Sequence, residues 1–173
     1  MIKIADAKKS LLRMVNLNKS LLMLSRIDND QYNSVGQVNG NTLLLDIINE
    51  LKEIIEFKGL SIDVNIQGEF TVNMNTNLAS ILFSNLIRNA IKYNMDEGKI
   101  MVDISVNEIR ISNTSNSGAL NPDYIFERFY KGKQDNQSNG LGLSIVSSIL
   151  NKYPFLTLQY LYVDDLHTFS IKK

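Results

Sequence analysis

Residues 75–94, NTNLASILFSNLIRNAIKYN, form the stretch of this chain from which its fold is most directly predicted. Leu82, Leu86 and Ala90 recur at intervals of four residues, and this spacing places side chains on one face of an α-helix. A helix with one continuous apolar face must pack that face against other elements. We therefore expect a helix over about 75–94 that lies on the core of the domain.

A second face of the same helix is polar. Asn85 and Asn89 are four residues apart and share this face, with Lys92 and Tyr93 one turn further along. Amide oxygens are hard ligands that suit Mg²⁺, and a lysine ammonium suits phosphate oxygens. The alternative is a solvated helix face, which two asparagines and a lysine on their own more often indicate.

Stretches in which apolar and polar residues alternate flank this helix and predict a sheet. Residues 60–66 alternate in this way, and Gly68 is expected to turn the chain into a returning strand over 70–74. Further strands are predicted over about 100–106, 109–113, 155–162 and 167–172, and further helices over about 41–58, capped by Asn41, and 141–152. Three helices on one face of a mixed, mostly antiparallel sheet make an α+β fold, a two-layer α/β sandwich.

The first 30 residues differ in composition from the rest. Residues 1–28 contain no glycine or proline, and their apolar residues recur at helical spacings, which predicts one long helix. A single helix of this kind needs partner helices to cover its apolar face. We therefore divide the chain into a helical element at 1–30, a linker with one short strand at 31–40, and a main domain at 41–173.

Composition excludes several kinds of site. The 173 residues contain no cysteine and one histidine, which excludes disulfide frameworks, thiolate zinc sites and multi-histidine metal centres. Lysine plus arginine and aspartate plus glutamate each number 18, so the formal net charge is zero. This balance argues against a nucleic-acid partner. No apolar run approaches the roughly 20 residues of a membrane span.

Two further patterns lie in a polar region at about 114–139 and directly after it. The aromatic segment, residues 124–131 (YIFERFYK), is too apolar for an ordinary exposed loop, so it either anchors the loop or holds a lid. The glycine segment, residues 139–144 (NGLGLS), opens a helix, where backbone N–H groups can approach an anion. A GxG pattern alone more often marks a simple turn.

Taken in this order, the three patterns resemble the catalytic, ATP-binding domain of sensor histidine kinases, in the gyrase/Hsp90/histidine-kinase ATPase superfamily with its Bergerat-type fold. NLIRNAIKYN is similar to the N-box of that family, IFERFYKG to its F-box, and NGLGLSIV to its second glycine box. The resemblance covers about 41–173. Residues 11–32, LLRMVNLNKSLLMLSRIDNDQY, resemble the second helix of the dimerisation and histidine-phosphotransfer hairpin.

The resemblance implies a set of site residues for ATP and Mg²⁺. It makes Asn89 the magnesium ligand and places Asn85 beside the water shell of the metal. It assigns Lys131 to the γ-phosphate, with Asn85 and Lys131 as the catalytic residues, and Arg128 as a further residue that reaches phosphate. It assigns phosphate and ribose contacts to Lys92 and Tyr93, and the triphosphate to Gly140, Leu141, Gly142 and Leu143. The implied reaction moves the γ-phosphate of ATP to a histidine and then to an aspartate of a response-regulator receiver domain.

The chain departs from the family pattern at two places. Asn113 stands where the first glycine box has an adenine-binding aspartate, and only Gly118 could serve as its glycine. An amide oxygen still accepts a hydrogen bond, without charge assistance, so we expect Asn113→Asp to tighten adenine-nucleotide binding. The phosphoacceptor helix is also absent, and we interpret the sole histidine, His167, as structural.

The resemblance therefore implies a cytoplasmic fragment of a longer kinase, which forms a homodimer through its hairpin and is anchored in the inner membrane. Two other functions compete with a kinase. One is a docking or dimer scaffold of the same fold whose nucleotide site has degenerated, and the weak first glycine box favours it. The other is a serine kinase of the anti-sigma type or another ATPase of the superfamily, which would not need the leading helix.

Overall fold

The computed structural model describes residues 2–131 and 138–173. One long helix comes first and is followed by an α+β domain of helices and strands. In chain order they are α1 (Ile2–Asp28), β1 (Gly36–Asn39), α2 (Gly40–Glu50), α3 (Lys52–Phe57), β2 (Ser61–Ile66), β3 (Thr71–Met74), α4 (Thr76–Lys92), β4 (Lys99–Ile104), β5 (Glu108–Thr114), α5 (Gly142–Leu150), β6 (Thr157–Val163) and β7 (Leu166–Lys172).

The main sheet has five strands in the order β2-β4-β5-β7-β6. Only the β2–β4 pair is parallel, and the other three pairs are antiparallel. Ile100, Val102 and Ile104 on β4 are buried, whereas the residues between them are partly exposed, so one face of the sheet meets the helices. The predicted two-layer α+β architecture is confirmed.

The predicted pairing of the two strands on either side of Gly68 is wrong. β3 pairs antiparallel with β1 in a separate two-stranded sheet, and β2 pairs with β4 instead. A side chain at Gly68 would lie 2.7 Å from Val106 Cγ2 and 2.9 Å from the Val106 nitrogen, so the chain passes over the β4–β5 turn there rather than folding back. Alternation predicts that a segment is a strand, but it does not determine its partner.

The second helix also differs from its prediction. It is divided at Leu51 into α2 and α3, and nothing in the sequence marks that division. Its N-terminal cap is Asn39, whose Oδ1 accepts a hydrogen bond from the Thr42 nitrogen at 3.0 Å. Asn41, which was expected to be the cap, instead accepts from the Phe70 nitrogen and donates to the Gly68 carbonyl, and so joins the helix to the loop before β3.

The helix α1 meets the main domain along its C-terminal half, where Leu17 and Met23 also pack against the core. Leu24 and Ile27 are buried, and α1 packs against α5, whereas Leu11, Leu12 and Met14 nearer its beginning are exposed. The predicted single long helix is therefore present, and the apolar side chains of its first half are exposed in this chain. Within the described ranges, no helix combines the length and apolar character needed to cross a membrane.

Candidate functional site

The polar face of α4 lies directly against the start of α5. A side-chain carbon added at Gly142 would lie 3.2 Å from Asn85 Oδ1 and 3.5 Å from Asn89 Oδ1. Asn85 Nδ2 donates to the Ile81 carbonyl at 2.8 Å, which fixes the amide so that its oxygen faces α5. The structure therefore brings both asparagines and the glycine segment together on one side of the molecule.

The first turn of α5 has no side-chain cap. The residue at its N-cap position is Leu141, whose own side chain is buried in the core. Ser144 Oγ donates to the Leu141 carbonyl at 3.0 Å and so does not satisfy the first amides. The N–H groups at the start of a helix point along its axis and favour an anion, so this turn can receive one beside the two asparagines.

The aromatic segment packs onto the glycine segment through the backbone. Gly140 has a φ of +65°, and its carbonyl accepts a hydrogen bond from the Phe129 nitrogen at 2.8 Å. A side-chain carbon at Gly140 would lie 2.7 Å from both the Phe129 carbonyl carbon and the Tyr130 oxygen. Glycine is required here both for the backbone conformation and for the close approach. The two segments are thus joined at one edge of the site.

Lys92 and Tyr93 lie at the C-terminal end of α4. Lys92 Nζ is 3.3 Å from Tyr93 Oη and 4.8 Å from the centre of its ring. The Tyr93 nitrogen donates to the Asn89 carbonyl at 2.9 Å, which continues the helix up to Tyr93. Both side chains are exposed, so the polar face of α4 ends in an ammonium and a phenol that solvent can reach.

Asn113, at the end of β5, is buried and joined to the end of α4. Its Nδ2 donates to the Thr114 carbonyl at 3.0 Å and to the Tyr93 carbonyl at 3.4 Å. An amide has two donor hydrogens, so both of them are used in this arrangement. The oxygen Oδ1 is therefore the atom of Asn113 that is left to accept a hydrogen bond from a ligand.

Neighbouring residues that the sequence analysis did not single out support Asn113. Thr114 Oγ1 donates to Asn94 Oδ1 at 2.6 Å and accepts from the Lys99 nitrogen at 2.8 Å. These bonds tie the end of β5 to the turn that follows α4. A side-chain carbon at Gly98 would lie 2.1 Å from Asn94 Oδ1. The glycine at 98, which follows an acidic pair, is a turn signal in the sequence that could have pointed to this network.

The basic residues of the aromatic segment are placed differently from the other predicted site residues. Arg128 Nη2 lies 2.8 Å from Asp28 Oδ2, so the guanidinium is paired with the C-terminal end of α1. Lys131 is half-buried and directly precedes residues 132–137, which are part of the predicted lid and lie outside the described residues. The structure thus does not bring Arg128 together with the asparagines of α4.

His167, which the sequence analysis interprets as structural, lies in a hydrogen-bonded network. His167 is 3% exposed and packs against the rings of Tyr160 and Tyr162 on β6. Its Nδ1 is 2.8 Å from Tyr160 Oη, and its Nε2 is 3.2 Å from Ser117 Oγ. Burial lowers the pKa of His167 below the ordinary value of 6.5, because the charged ring loses its hydration. The ring is therefore neutral at pH 7.

Comparison with known proteins identifies the family. A sequence profile described as the histidine kinase-, DNA gyrase B- and HSP90-like ATPase family matches residues 74–160. The chain is 35% identical over 140 residues to the heme sensor protein HssS of Staphylococcus epidermidis, an alignment that covers 78% of this chain and 31% of that relative. The chain thus spans about a third of the length of this relative.

Solved structures of histidine kinases share the fold. The Acinetobacter baumannii histidine kinase AdeS superposes with a TM-score of 0.74 and 21% identity, over 95% of this chain and 81% of that one. The histidine kinase ThkA, solved in complex with the response regulator protein TrrA, superposes with a TM-score of 0.66 and 18% identity, over 96% of this chain and 49% of that one. The profile match and the likeness to HssS show that the chain belongs to the histidine kinase-, DNA gyrase B- and HSP90-like ATPase family, as the ATPase domain of a sensor histidine kinase.

Proposed function

We propose that the chain binds Mg·ATP between α4 and the start of α5 and presents the γ-phosphate to a histidine of the phosphotransfer hairpin, from which it passes to an aspartate of a response-regulator receiver domain. The observation that carries this proposal is the approach of Asn85 and Asn89 to Gly142. The side-chain amide oxygens of α4 offer a metal ligand, and the backbone amides at the start of α5 offer an anion site a few ångströms away.

The residues fit a magnesium ion that arrives with the nucleotide. Among residues 2–131 and 138–173, no group of three histidine or acidic side chains could hold a metal. Mg²⁺ keeps several waters and commonly takes one or two protein oxygens together with substrate phosphates. Asn89 Oδ1 would supply the protein ligand, and Asn85 Oδ1 would accept hydrogen bonds from the water shell. Bound Mg²⁺ neutralises the charge that develops on the transferred phosphate.

Other residues around the proposed site are assigned to orient the nucleotide. We assign the triphosphate to the backbone amides around Gly140 and Gly142, including those of Leu141 and Leu143, at the uncapped start of α5. Lys92 and Tyr93 are assigned to phosphate and ribose contacts, and Lys131 to the γ-phosphate. Phosphoryl transfer needs positioning and charge stabilisation more than covalent chemistry, and this set of residues provides both.

Asn113 is assigned to the adenine amino group through its oxygen Oδ1. The two hydrogen bonds that Nδ2 donates hold the amide in the orientation that presents this oxygen. An oxygen acceptor suits adenine, which has an amino group at this position, and does not suit guanine, which has a carbonyl there. The proposed site is therefore selective for adenine nucleotides.

The same hydrogen bonds change the result we expect for Asn113→Asp. A carboxylate here would place an oxygen within about 3 Å of the Thr114 carbonyl, where an amide N–H now donates. We therefore predict that Asn113→Asp does not tighten ATP binding at pH 7 and lowers the free energy of unfolding by roughly 1–3 kcal/mol, because the Tyr93 and Thr114 carbonyls lose their donor at a partly buried position. Thermal unfolding and ATP titration of both proteins check this. Tighter binding at unchanged stability would contradict the assigned orientation.

Arg128 can reach a phosphate only after it leaves Asp28. We therefore predict that Asp28→Asn, which removes the charge that holds the guanidinium, tightens Mg·ATP binding by up to about fivefold, the equivalent of one exposed ion pair. The measurement is the dissociation constant of Mg·ATP at low salt, where exposed charges are least screened.

A matched control is available two residues further along the chain. Asp30→Asn removes a neighbouring ion pair, that of Asp30 with Lys152 just after the end of α5, and leaves Arg128 paired. Asp30→Asn should not change the dissociation constant. Equal effects of the two substitutions, or no effect of either, would show that Arg128 does not act on the nucleotide.

The leading helix fits a role in dimerisation and phosphotransfer. The exposed apolar side chains of α1 suit helix packing against a hairpin partner and a second subunit, and the ATPase domain is attached at the C-terminal end of this helix. We propose residues 1–30 as the hairpin element, 31–40 as the linker and 41–173 as the catalytic domain. The intact protein is proposed to be a membrane-anchored sensor kinase that acts on a response regulator.

Titration with a fluorescent ATP analogue, with and without Mg²⁺, tests the proposed function. We expect saturable binding that Mg²⁺ strengthens. If millimolar nucleotide fails to bind, the catalytic assignment is wrong, and the docking or dimer scaffold with a degenerate site becomes the better account of the fold. Fusion of a histidine-bearing phosphoacceptor helix ahead of α1 should give acid-labile phosphate if the nucleotide site is active, and none if it has degenerated.

A further inference from the structure

The sole histidine of the chain lies beside the proposed adenine-binding residue. β5 and β7 are antiparallel, and their register pairs Asn113 directly with His167. Residues that are directly opposite each other on antiparallel strands point to the same face of the sheet. His167 therefore lies on the same face of the sheet as Asn113, at the end of the sheet where the chain leaves β5.

The hydrogen bonds around His167 all run in one direction, from the Leu120 nitrogen through Tyr160 and His167 to Ser117. Tyr160 Oη accepts from the Leu120 nitrogen at 2.9 Å, so its own hydrogen is directed to His167 Nδ1. A neutral imidazole that accepts at Nδ1 carries its hydrogen at Nε2, which then donates to Ser117 Oγ. Ser117 Oγ in turn lies 2.8 Å from Ser115 Oγ. We call these four side chains the His167 relay.

The His167 relay holds a segment that joins two parts of the proposed site. Residues 115–121 begin just after Asn113, and the Ser115 nitrogen donates to the Asp165 carbonyl at 2.9 Å. At the other end, the Asn121 nitrogen donates to Tyr130 Oη, in the aromatic segment, at 3.4 Å. The segment thus runs from the adenine end of the site to the residues that pack on Gly140. The relay fixes it at Ser115, Ser117 and Leu120.

We propose that Tyr160 and His167 are positioning residues of the nucleotide site, which hold residues 115–121 between Asn113 and the aromatic segment and so set the affinity for ATP without contacting it. This inference rests on the proposed function. Neither side chain belongs to the patterns that predicted the site, and both lie on the last two strands of the sheet, far along the chain from Asn113.

Tyr160→Phe is the most selective variant, because it removes one oxygen and keeps the ring that packs on Phe169. At a temperature where the variant is fully folded, we expect the Leu120 amide to exchange its hydrogen faster and the dissociation constant of Mg·ATP to rise roughly three- to tenfold. The dissociation constant of magnesium triphosphate, which lacks the base, should stay unchanged. A general loss of structure would not separate the two ligands in this way.

Tyr162→Phe is the matched control. Its hydroxyl donates to Asp165 Oδ1 at 2.8 Å and is not part of the His167 relay, so neither the Leu120 amide nor ATP binding should change. Ser117→Ala should repeat part of the effect of Tyr160→Phe, and Ser117→Thr, which keeps a hydroxyl, should restore binding.

Two results would overturn the inference. One is faster exchange at Leu120 with an unchanged dissociation constant of Mg·ATP, which would make the relay purely structural. The other is an equal loss of ATP and triphosphate binding. If the unsubstituted chain binds no nucleotide at all, the proposed function and the positioning role both fail, and exchange at Leu120 still shows whether the relay holds the segment.

Discussion

Asn89→Ala is expected to weaken Mg²⁺-dependent ATP binding by about 100-fold or more, while binding in EDTA changes several-fold at most. Removal of an outer-shell partner already costs a metal site roughly 10- to 100-fold in affinity, and loss of a ligand should cost at least as much. The side chain lies on the half-buried polar face of α4, opposite Gly142, so its truncation leaves the core intact. The measurement is a pair of nucleotide titrations, one with Mg²⁺ and one with EDTA.

Arg88→Ala serves as the control for Asn89→Ala. Arg88 precedes Asn89 on the same helix, is exposed, and donates to Ser84 Oγ at 3.2 Å, within α4. Its truncation should change neither titration. Equal losses of affinity with and without Mg²⁺ for Asn89→Ala would show that Asn89 contacts the nucleotide rather than the metal.

Gly140→Ala is expected to reduce ATP affinity more than tenfold and to lower the free energy of unfolding by about 2–5 kcal/mol. A left-handed residue other than glycine costs roughly 1–2 kcal/mol, and overpacking typically adds 1–3 kcal/mol. The atoms that the new methyl group meets at 2.7 Å belong to the backbone of Phe129 and Tyr130, so the aromatic segment must move away as a whole. ATP titration and thermal unfolding measure the two effects.

Gly118→Ala separates the cost of the left-handed backbone conformation from the cost of overpacking. Gly118 has a φ of +70°, close to that of Gly140, but a methyl group there would have no neighbour within 4 Å. Gly118→Ala therefore carries the backbone cost alone and should lower stability by only about 1–2 kcal/mol. If Gly140→Ala and Gly118→Ala lower the free energy of unfolding by the same amount, the close approach of Phe129 and Tyr130 adds nothing to the cost of a side chain at Gly140.

Local patterns in the sequence predicted most of the secondary structure. The four-residue spacing that begins at Leu82 identified α4, because burial of Leu82, Leu86 and Ala90 depends only on the period of the helix. Alternation of apolar and polar residues located the strands of the main sheet, because successive side chains on a strand point to opposite faces. The order of the three motifs along the chain then identified the family.

The errors arose where distant residues determine the outcome. β3 pairs with β1 rather than β2, and Gly68 packs closely on Val106; spacing within the strands carries no information about either contact. The ion pair between Asp28 and Arg128 joins residues far apart in sequence, and neither residue type indicates its partner. The same is true of the hydrogen bond that Asn113 donates to the Tyr93 carbonyl.

The central claim is that one Mg·ATP lies between the polar face of α4 and the start of α5. Substitution of Mn²⁺ for Mg²⁺ tests it most directly, because the paramagnetic ion broadens the NMR signals of nearby amides. With ATP present, we predict that broadening is strongest for the side-chain amides of Asn85 and Asn89 and the backbone amides of Gly142 and Leu143. Broadening centred elsewhere on the sheet or helices, or equal broadening without ATP, would contradict the claim.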